Sequence, residues 1–146
     1  MSEPLPPLPA PDDASRPYWE AAARGELCMQ RCTRCRHWRF PPRPACPRCR
    51  AFESEWVAVS GRGTLFSWTV VHPPVLPAFR QRVPLQVVLV ELAEDPGLRL
   101  LGNLIDVPPA EIAIGMPLEV CFEPAGEGFS LPQWRRAGIP RVSDPG

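Results

Sequence analysis

Cys32, Cys35, Cys46 and Cys49 form two Cys-x2-Cys pairs with ten residues between the pairs. Each short pair can turn two thiolates toward one point, and two such turns supply the four soft ligands of a tetrahedral Zn2+ site. With sulfur in every position no place is left for a water, so the metal is expected to be structural. It would hold together a segment too small to build a core of its own. The spacing reads as a zinc ribbon, with Zn2+ as cofactor, iron as the competing metal for the same sulfur cage, and no redox cofactor implied. The other use of four cysteines is a pair of disulfides, which needs an oxidising compartment. Residues Met1 to Pro17 show neither a basic n-region nor an apolar h-region. The expectation is therefore a reduced, cytoplasmic protein with no membrane insertion.

The same stretch carries Arg31, Arg34, Arg36, Arg39, Arg43, Arg48 and Arg50, with no acidic residue among them. Arginine offers paired hydrogen bonds to phosphate oxygens, so such a cluster could grip polyanions. Arginines beside a dianionic tetrathiolate centre can equally serve to offset its charge. Over the whole chain sixteen arginines, with no lysine, balance sixteen carboxylates. A neutral chain is a poor general polyanion binder, so nucleic acid is an unexpected partner. A ribbon and barrel that bind single-stranded nucleic acid remain the rival reading, weakened by a barrel segment with few arginines and no clear run of stacking aromatics.

Catalysis would need an activated nucleophile with a base. Cys28 and Cys121 lie in the apolar stretches Leu27–Met29 and Val120–Phe122 and read as packed core thiols. His72 is followed by Pro73 and Pro74, which suits the end of a strand, and His37 falls between the knuckles. No phosphate loop or dinucleotide fingerprint is present. No catalytic residue is expected.

The elements that must position these groups are set by 22 prolines, which confine regular structure to the segments between them. Met1 to Pro17 holds six of them and reads as an extended arm of the kind that lies on a partner. Arg16 to Arg24 reads as a short helix with Pro17 in its first turn, Tyr18, Trp19, Ala22 and Ala23 on one face, and Gly25 closing it. So short a helix is marginal alone, so its aromatic pair must pack on the protein or on another subunit. Leu27–Arg31 and Trp38–Phe40 read as the strands of the first knuckle. Trp56–Val59, Leu65–Val71, Leu85–Leu92, Leu98–Ile105 and Leu118–Phe122 follow as β-branched or aliphatic runs broken by turn signals. Five strands of this length suit a small Greek-key barrel. The expected fold is mainly β: a short N-terminal helix, a rubredoxin-like zinc ribbon, then a five-stranded OB-fold barrel. The divisions expected are arm and helix at 1–26, ribbon at 27–53, barrel at 54–134 and a tail at 135–146. Between two strands, His72 to Pro84 is a thirteen-residue segment with four prolines and with Val75, Leu76 and Phe79. A loop that long with apolar residues is a candidate binding loop, although the same residues could cap an open barrel end.

A set of local motifs carries a family resemblance. They are Pro17-Tyr18-Trp19-Glu20 with Gly25-Glu26-Leu27, the first Cys pair followed by Arg39-Phe40-Pro41-Pro42-Arg43, and Cys46-Pro47-x-Cys49. Farther on come Trp56-Val57 leading to Gly61-Arg62-Gly63-Thr64, Thr69-Val70-Val71-His72, Leu101-Gly102-Asn103 and Ile114-Gly115-Met116-Pro117-Leu118-Glu119-Val120. In this order they resemble the acyl-CoA-associated zinc-ribbon/OB-fold family over almost the whole chain after the arm. The resemblance implies a non-catalytic companion of a thiolase-like enzyme, including the aldolases of steroid side-chain catabolism, in a hetero-oligomer. A MaoC-type enoyl-CoA hydratase is the alternative companion. It also implies contact with acyl-CoA or with the partner subunit, for which Tyr18, Trp19, Arg39, Arg43, His72, Val75, Leu76 and Phe79 are the candidates.

Overall fold

The structure is a computed structural model that describes residues 4–138. The tail expected at 135–146 therefore lies mostly outside the described residues.

The helix α1, Arg16–Ala23, starts where Pro17 fits the first turn, and its C-terminus closes through Gly25 at φ +77. The Gly25 and Glu26 amides donate to the Ala22 and Ala21 carbonyls at 2.9 and 3.0 Å. Ahead of the helix, Asp12 and Ser15 brace one another. The Ser15 amide and hydroxyl both donate to Asp12 Oδ1, at 2.8 and 2.6 Å. The face of α1 carrying Tyr18, Ala21 and Ala22 is buried.

Strands β1 (Cys28–Cys32), β2 (Trp38–Arg39) and β3 (Ser54–Ala58) form an antiparallel sheet in the order β2-β1-β3. Strands β4 (Arg62–Val71), β5 (Leu85–Leu92), β6 (Asp95–Ile105), β7 (Pro117–Pro124) and β8 (Ser130–Arg136) close into a barrel ordered β4-β5-β6-β8-β7. One step of that closure is parallel, with Leu104 beside Trp134 and Ile105 beside Arg135. Closure leaves a barrel no unpaired edge along the ladders that complete it.

Two expectations are corrected here. The run beginning at Trp56 is not the first barrel strand: β3 pairs along β1 from Cys28↔Ala58 to Cys32↔Ser54, so it belongs to the ribbon's sheet. The fifth barrel strand is instead β8, in a stretch whose Pro132, Gln133, Arg135 and Arg136 hide its β character. Pro132 is tolerated there opposite Phe122, and Trp134 is wholly buried. Trp134 can lie against β6 only because residue 102 is glycine; a Cβ there would stand 2.8 Å from Trp134 Cδ1.

The core runs through the barrel as Leu65, Val88, Val90, Leu92, Leu98, Leu100, Leu104, Leu118 and Trp134. Tyr18, Leu27 and Met29 join the same cluster, and Trp38, Phe40 and Trp56 pack against it. The base of the ribbon and the helix are thus seated on the barrel by apolar contact. The knuckle end has only Cys32, Cys46 and Ala51 buried together, with Cys35 beside them.

Candidate metal centre and the surfaces around it

The two knuckles repeat one local design. In the first, the Cys32 amide donates to the His37 carbonyl at 2.9 Å and the Arg36 amide to the Cys32 carbonyl at 3.0 Å. In the second, Cys46 donates to Ala51 at 2.8 Å and Arg50 to Cys46 at 2.9 Å. Arg36 and Arg50 stand at the same place in each turn with φ of 65° and 64°. That left-handed conformation is unfavourable for a side chain with a Cβ, and here the turn requires it twice.

The turns bring Cys32, Cys35, Cys46 and Cys49 Sγ atoms within 4.8 Å of one another. Cys32 and Cys49 sulfurs are 3.6 Å apart, and Cys35 and Cys46 sulfurs 3.5 Å. A tetrahedron of thiolates about 2.3 Å from a zinc ion has edges of about 3.8 Å, so the cage fits the metal. The donor set is wholly sulfur and closed. The Cys35 amide, 3.5 Å from Cys32 Sγ, holds the Cys32 thiol down at about 6. Against a burial that would raise it, the Cys49 and Arg48 amides lower Cys46. Cys35 receives the His37 amide, which pulls its thiol down, yet burial and the three other sulfurs push it up to about 11. Four sulfurs this close cannot all hold negative charge by themselves, and a dication removes the conflict.

Arg39 is buried rather than displayed on the surface. It is 1% exposed, and its guanidinium donates to the Arg43, Pro44, Ala51 and Glu53 carbonyls at 3.4, 3.3, 3.0 and 3.0 Å. It fastens the second knuckle to β2. Arg43 is exposed, and its amide donates to Gln30 Oε1 at 3.0 Å. Arg31 and Arg36 share Glu55 at 2.8 and 3.6 Å, with the Arg31 guanidinium over Trp38.

The helix seats Tyr18 in the chain's own core, where it is buried. Its ring lies 5.0 Å from Trp19 and 5.9 Å from Phe40, and burial pushes its phenol upward. Trp19 is half-buried, edge-on to Phe129 at 6.4 Å. The aromatic pair thus packs on the protein itself. The arm also runs on its own barrel, where Leu5–Leu8 face Arg82 and the Glu123–Glu127 turn across a cavity of about 320 Å3.

His72 is exposed at the end of β4. Burial pushes both Cys28 and Cys121 upward, as suits packed thiols. In the loop, Val75 is 70% and Leu76 46% exposed, while Phe79 sits half-buried in a 3-10 turn at Pro77–Phe79. Beside the loop lies a cleft of about 890 Å3 whose polar lining includes Arg82, Gln86, Asn103 and Glu123. Its residues are linked to one another and to Gln133: Asn103 Nδ2 donates to the Gln86 carbonyl, Gln133 Nε2 to Glu123, and Arg82 to Glu123. This network was invisible in the sequence because its members come from four separate strands and a loop. No helix among the described residues is long and apolar enough to cross a membrane.

A closed tetracysteine knuckle pair seated on a five-stranded barrel defines the class of zinc-ribbon proteins with an OB-fold. Residues 19–55 match the model of the ChsH2 rubredoxin-like zinc ribbon domain, and 56–123 that of the ChsH2 C-terminal OB-fold domain. The solved Ltp2-ChsH2(DUF35) aldolase contains a chain 38% identical to this one with TM-score 0.81, the match covering 89% of this chain and 99% of that one. A "probable enoyl-CoA hydratase alpha subunit" of Thermomonospora curvata is 40% identical over 91% of this chain; the chain spans only 40% of that relative's length. A "DUF35 domain-containing scaffold protein" of Methanothermobacter thermautotrophicus is 33% identical, with 71% of this chain and 77% of the relative covered. The chain belongs to the DUF35 family of acyl-CoA-associated zinc-ribbon/OB-fold proteins, with domains of the ChsH2 type.

Proposed function

We propose that this chain is a non-catalytic accessory subunit that assembles with a thiolase-like acyl-CoA enzyme, a thiolase or a steroid side-chain aldolase, and helps organise it. The observation that carries this reading is the similarity, along nearly its full length, to a chain of the Ltp2-ChsH2(DUF35) aldolase. The site chemistry agrees with it. One Zn2+ held by Cys32, Cys35, Cys46 and Cys49 would supply structural cross-linking only. The remaining thiols are packed and raised, and His72 is exposed at the end of a strand. The loop at His72–Pro84 offers Val75, Leu76 and Phe79 to the partner or to the acyl chain, and Arg43 remains a candidate for the CoA phosphates. Trp19 contributes only what its half-exposed edge leaves free. We draw the division between ribbon and barrel after Ala58, where the pairing with β1 ends.

A second reading, a subunit of a MaoC-type enoyl-CoA hydratase complex, is favoured by the Thermomonospora relative's name. The nucleic-acid reading loses its best stacking face, since Arg99 lies 3.9 Å over Phe66 and is paired with Glu91. Co-expression with a thiolase-like subunit, size-exclusion chromatography and acyl-CoA cleavage kinetics test the proposal. The chain should co-elute with the enzyme, raise its activity or stability, and turn over nothing alone. Turnover by the isolated chain, or elution apart from the enzyme with unchanged rates, overturns it.

A further inference from the structure

The strand β4 changes character halfway along. From Arg62 to Leu65 its residues alternate exposed and buried, and it pairs with β5 on one side and with β7 on the other, Arg62↔Glu119 to Thr64↔Pro117. Leu65 ends that doubly paired half: its amide donates to the Met116 carbonyl at 3.1 Å and its carbonyl accepts from Gly115 at 2.8 Å. At Phe66 the register with β5 shifts by a bulge. From Ser67 to Val71 the strand pairs with β5 alone, and among the described residues no other backbone hydrogen bond reaches Phe66–Val71.

The free half-strand's own sequence carries none of the usual protection. Sheet edges are normally blunted by charge, proline or a covering loop. Phe66-Ser67-Trp68-Thr69-Val70-Val71 contains no charge and no proline, and every member but Ser67 is a strong strand former. Four successive residues, Phe66 to Thr69, are exposed, and the Arg99 guanidinium lies over the Phe66 ring. Phe66 and Trp68 are 43% and 39% exposed, and Ile114, next to the Gly115 that bonds Leu65, is 65% exposed. The N-terminal arm lies elsewhere, along the β7–β8 turn.

We infer that the outer half of β4 is the docking edge for the partner enzyme, which adds an extended, uncharged segment as a strand beside Phe66–Val71. Resting on the accessory-subunit reading, this names the mode of assembly. The unpaired backbone donors and acceptors of an edge are satisfied by another strand, while alternate side chains of that strand meet the apolar residues flanking it. A second copy of the chain fits less well. Symmetric antiparallel self-pairing centred between Trp68 and Thr69 sets Phe66 against Val71 of the other copy, and therefore Leu65 against its His72. That place is already held by Gly115 and Met116. A foreign segment that ends opposite Phe66 meets no such obstacle.

Hydrogen–deuterium exchange of the native chain, alone and with the co-expressed thiolase-like subunit, reads the edge directly. The Phe66–Val71 amides that face away from β5 should exchange freely in the lone chain and gain at least about tenfold protection in the complex. Thr69→Lys, at an exposed position, should weaken association at least about tenfold, whereas Thr69→Val should leave it unchanged and both variants should melt like the parent. A complex that forms with these amides still unprotected overturns strand addition and leaves the accessory reading standing. Failure to assemble at all overturns both. Protection already complete in the lone chain also overturns the inference, assigning the edge to the chain itself, or to a second copy if the protection rises with concentration.

Discussion

The knuckle end of the ribbon and the interior of the barrel solve the same problem by unlike means. The barrel buries a continuous run of aliphatic side chains around Trp134. The knuckles bury two cysteines and one alanine, and replace the missing apolar surface with sulfur ligands and the carbonyl-bound Arg39. What separates them is scale: a loop pair of some twenty residues cannot remove enough apolar area from water to offset its chain entropy, whereas the barrel can. The ribbon's base belongs to the barrel's regime, because Leu27 and Met29 join the barrel core. The border between the two modes therefore runs through β1, between Met29 and Cys32.

Removing the metal should expose that border with the largest effect. Cys32→Ser, or a strong chelator, should release zinc and unfold the knuckles, a loss of order 10 kcal/mol in small zinc modules. Metal analysis with hydrogen exchange should show amide protection gone from Thr33 to Arg50 and kept in β5 and β6. Less than half an equivalent of zinc in the untreated protein would remove one side of the contrast. Trp134→Ala is the complementary break. It should cost about 3–5 kcal/mol in barrel stability by denaturant titration while the zinc content stays at one equivalent.

Arg39→Met sharpens the contrast within the ribbon, since it keeps the buried stem and deletes the donors to four carbonyls. The expected loss is about 1.5–3 kcal/mol, read as faster zinc transfer to a chelator with the barrel's unfolding midpoint unaltered. Arg82→Ala should do least. Its bond to Glu123 at 2.7 Å joins partly exposed groups, so the change should fall within about 1 kcal/mol and shrink further in high salt.

Much of this architecture is legible in local pattern. The cysteine spacing, the proline-started helix closed by Gly25, and the aliphatic alternation of β5 and β6 each carry their own signal within a few residues. What escapes is decided by neighbours far along the chain. β8 has a proline and two arginines in seven residues, and becomes a strand because β7 runs antiparallel to it and Gly102 leaves room for Trp134. β3 looks like any barrel strand until β1 takes it. Arg39 reads as one more cation of a basic stretch, and only the folded knuckle shows four carbonyls converging on it. The free half of β4 is invisible for the same reason, since a strand's composition does not say on how many sides it will be paired.

The parallel stitch between β6 and β8 bears on how this barrel breathes. It is made only by Leu104 with Trp134 and Ile105 with Arg135, steadied by the Asn103 amide donating to Gln133 Oε1 at 2.6 Å. Each neighbouring seam is longer, so local opening should begin here. Such an opening would swing the β7–β8 hairpin outward as a leaf, carrying Trp134 out of the core and the Phe129 support away from Trp19. A protease cutting the native protein at low rate should therefore find its first site in the turn from Ala125 to Phe129, before the ribbon or the β5–β6 pair yields.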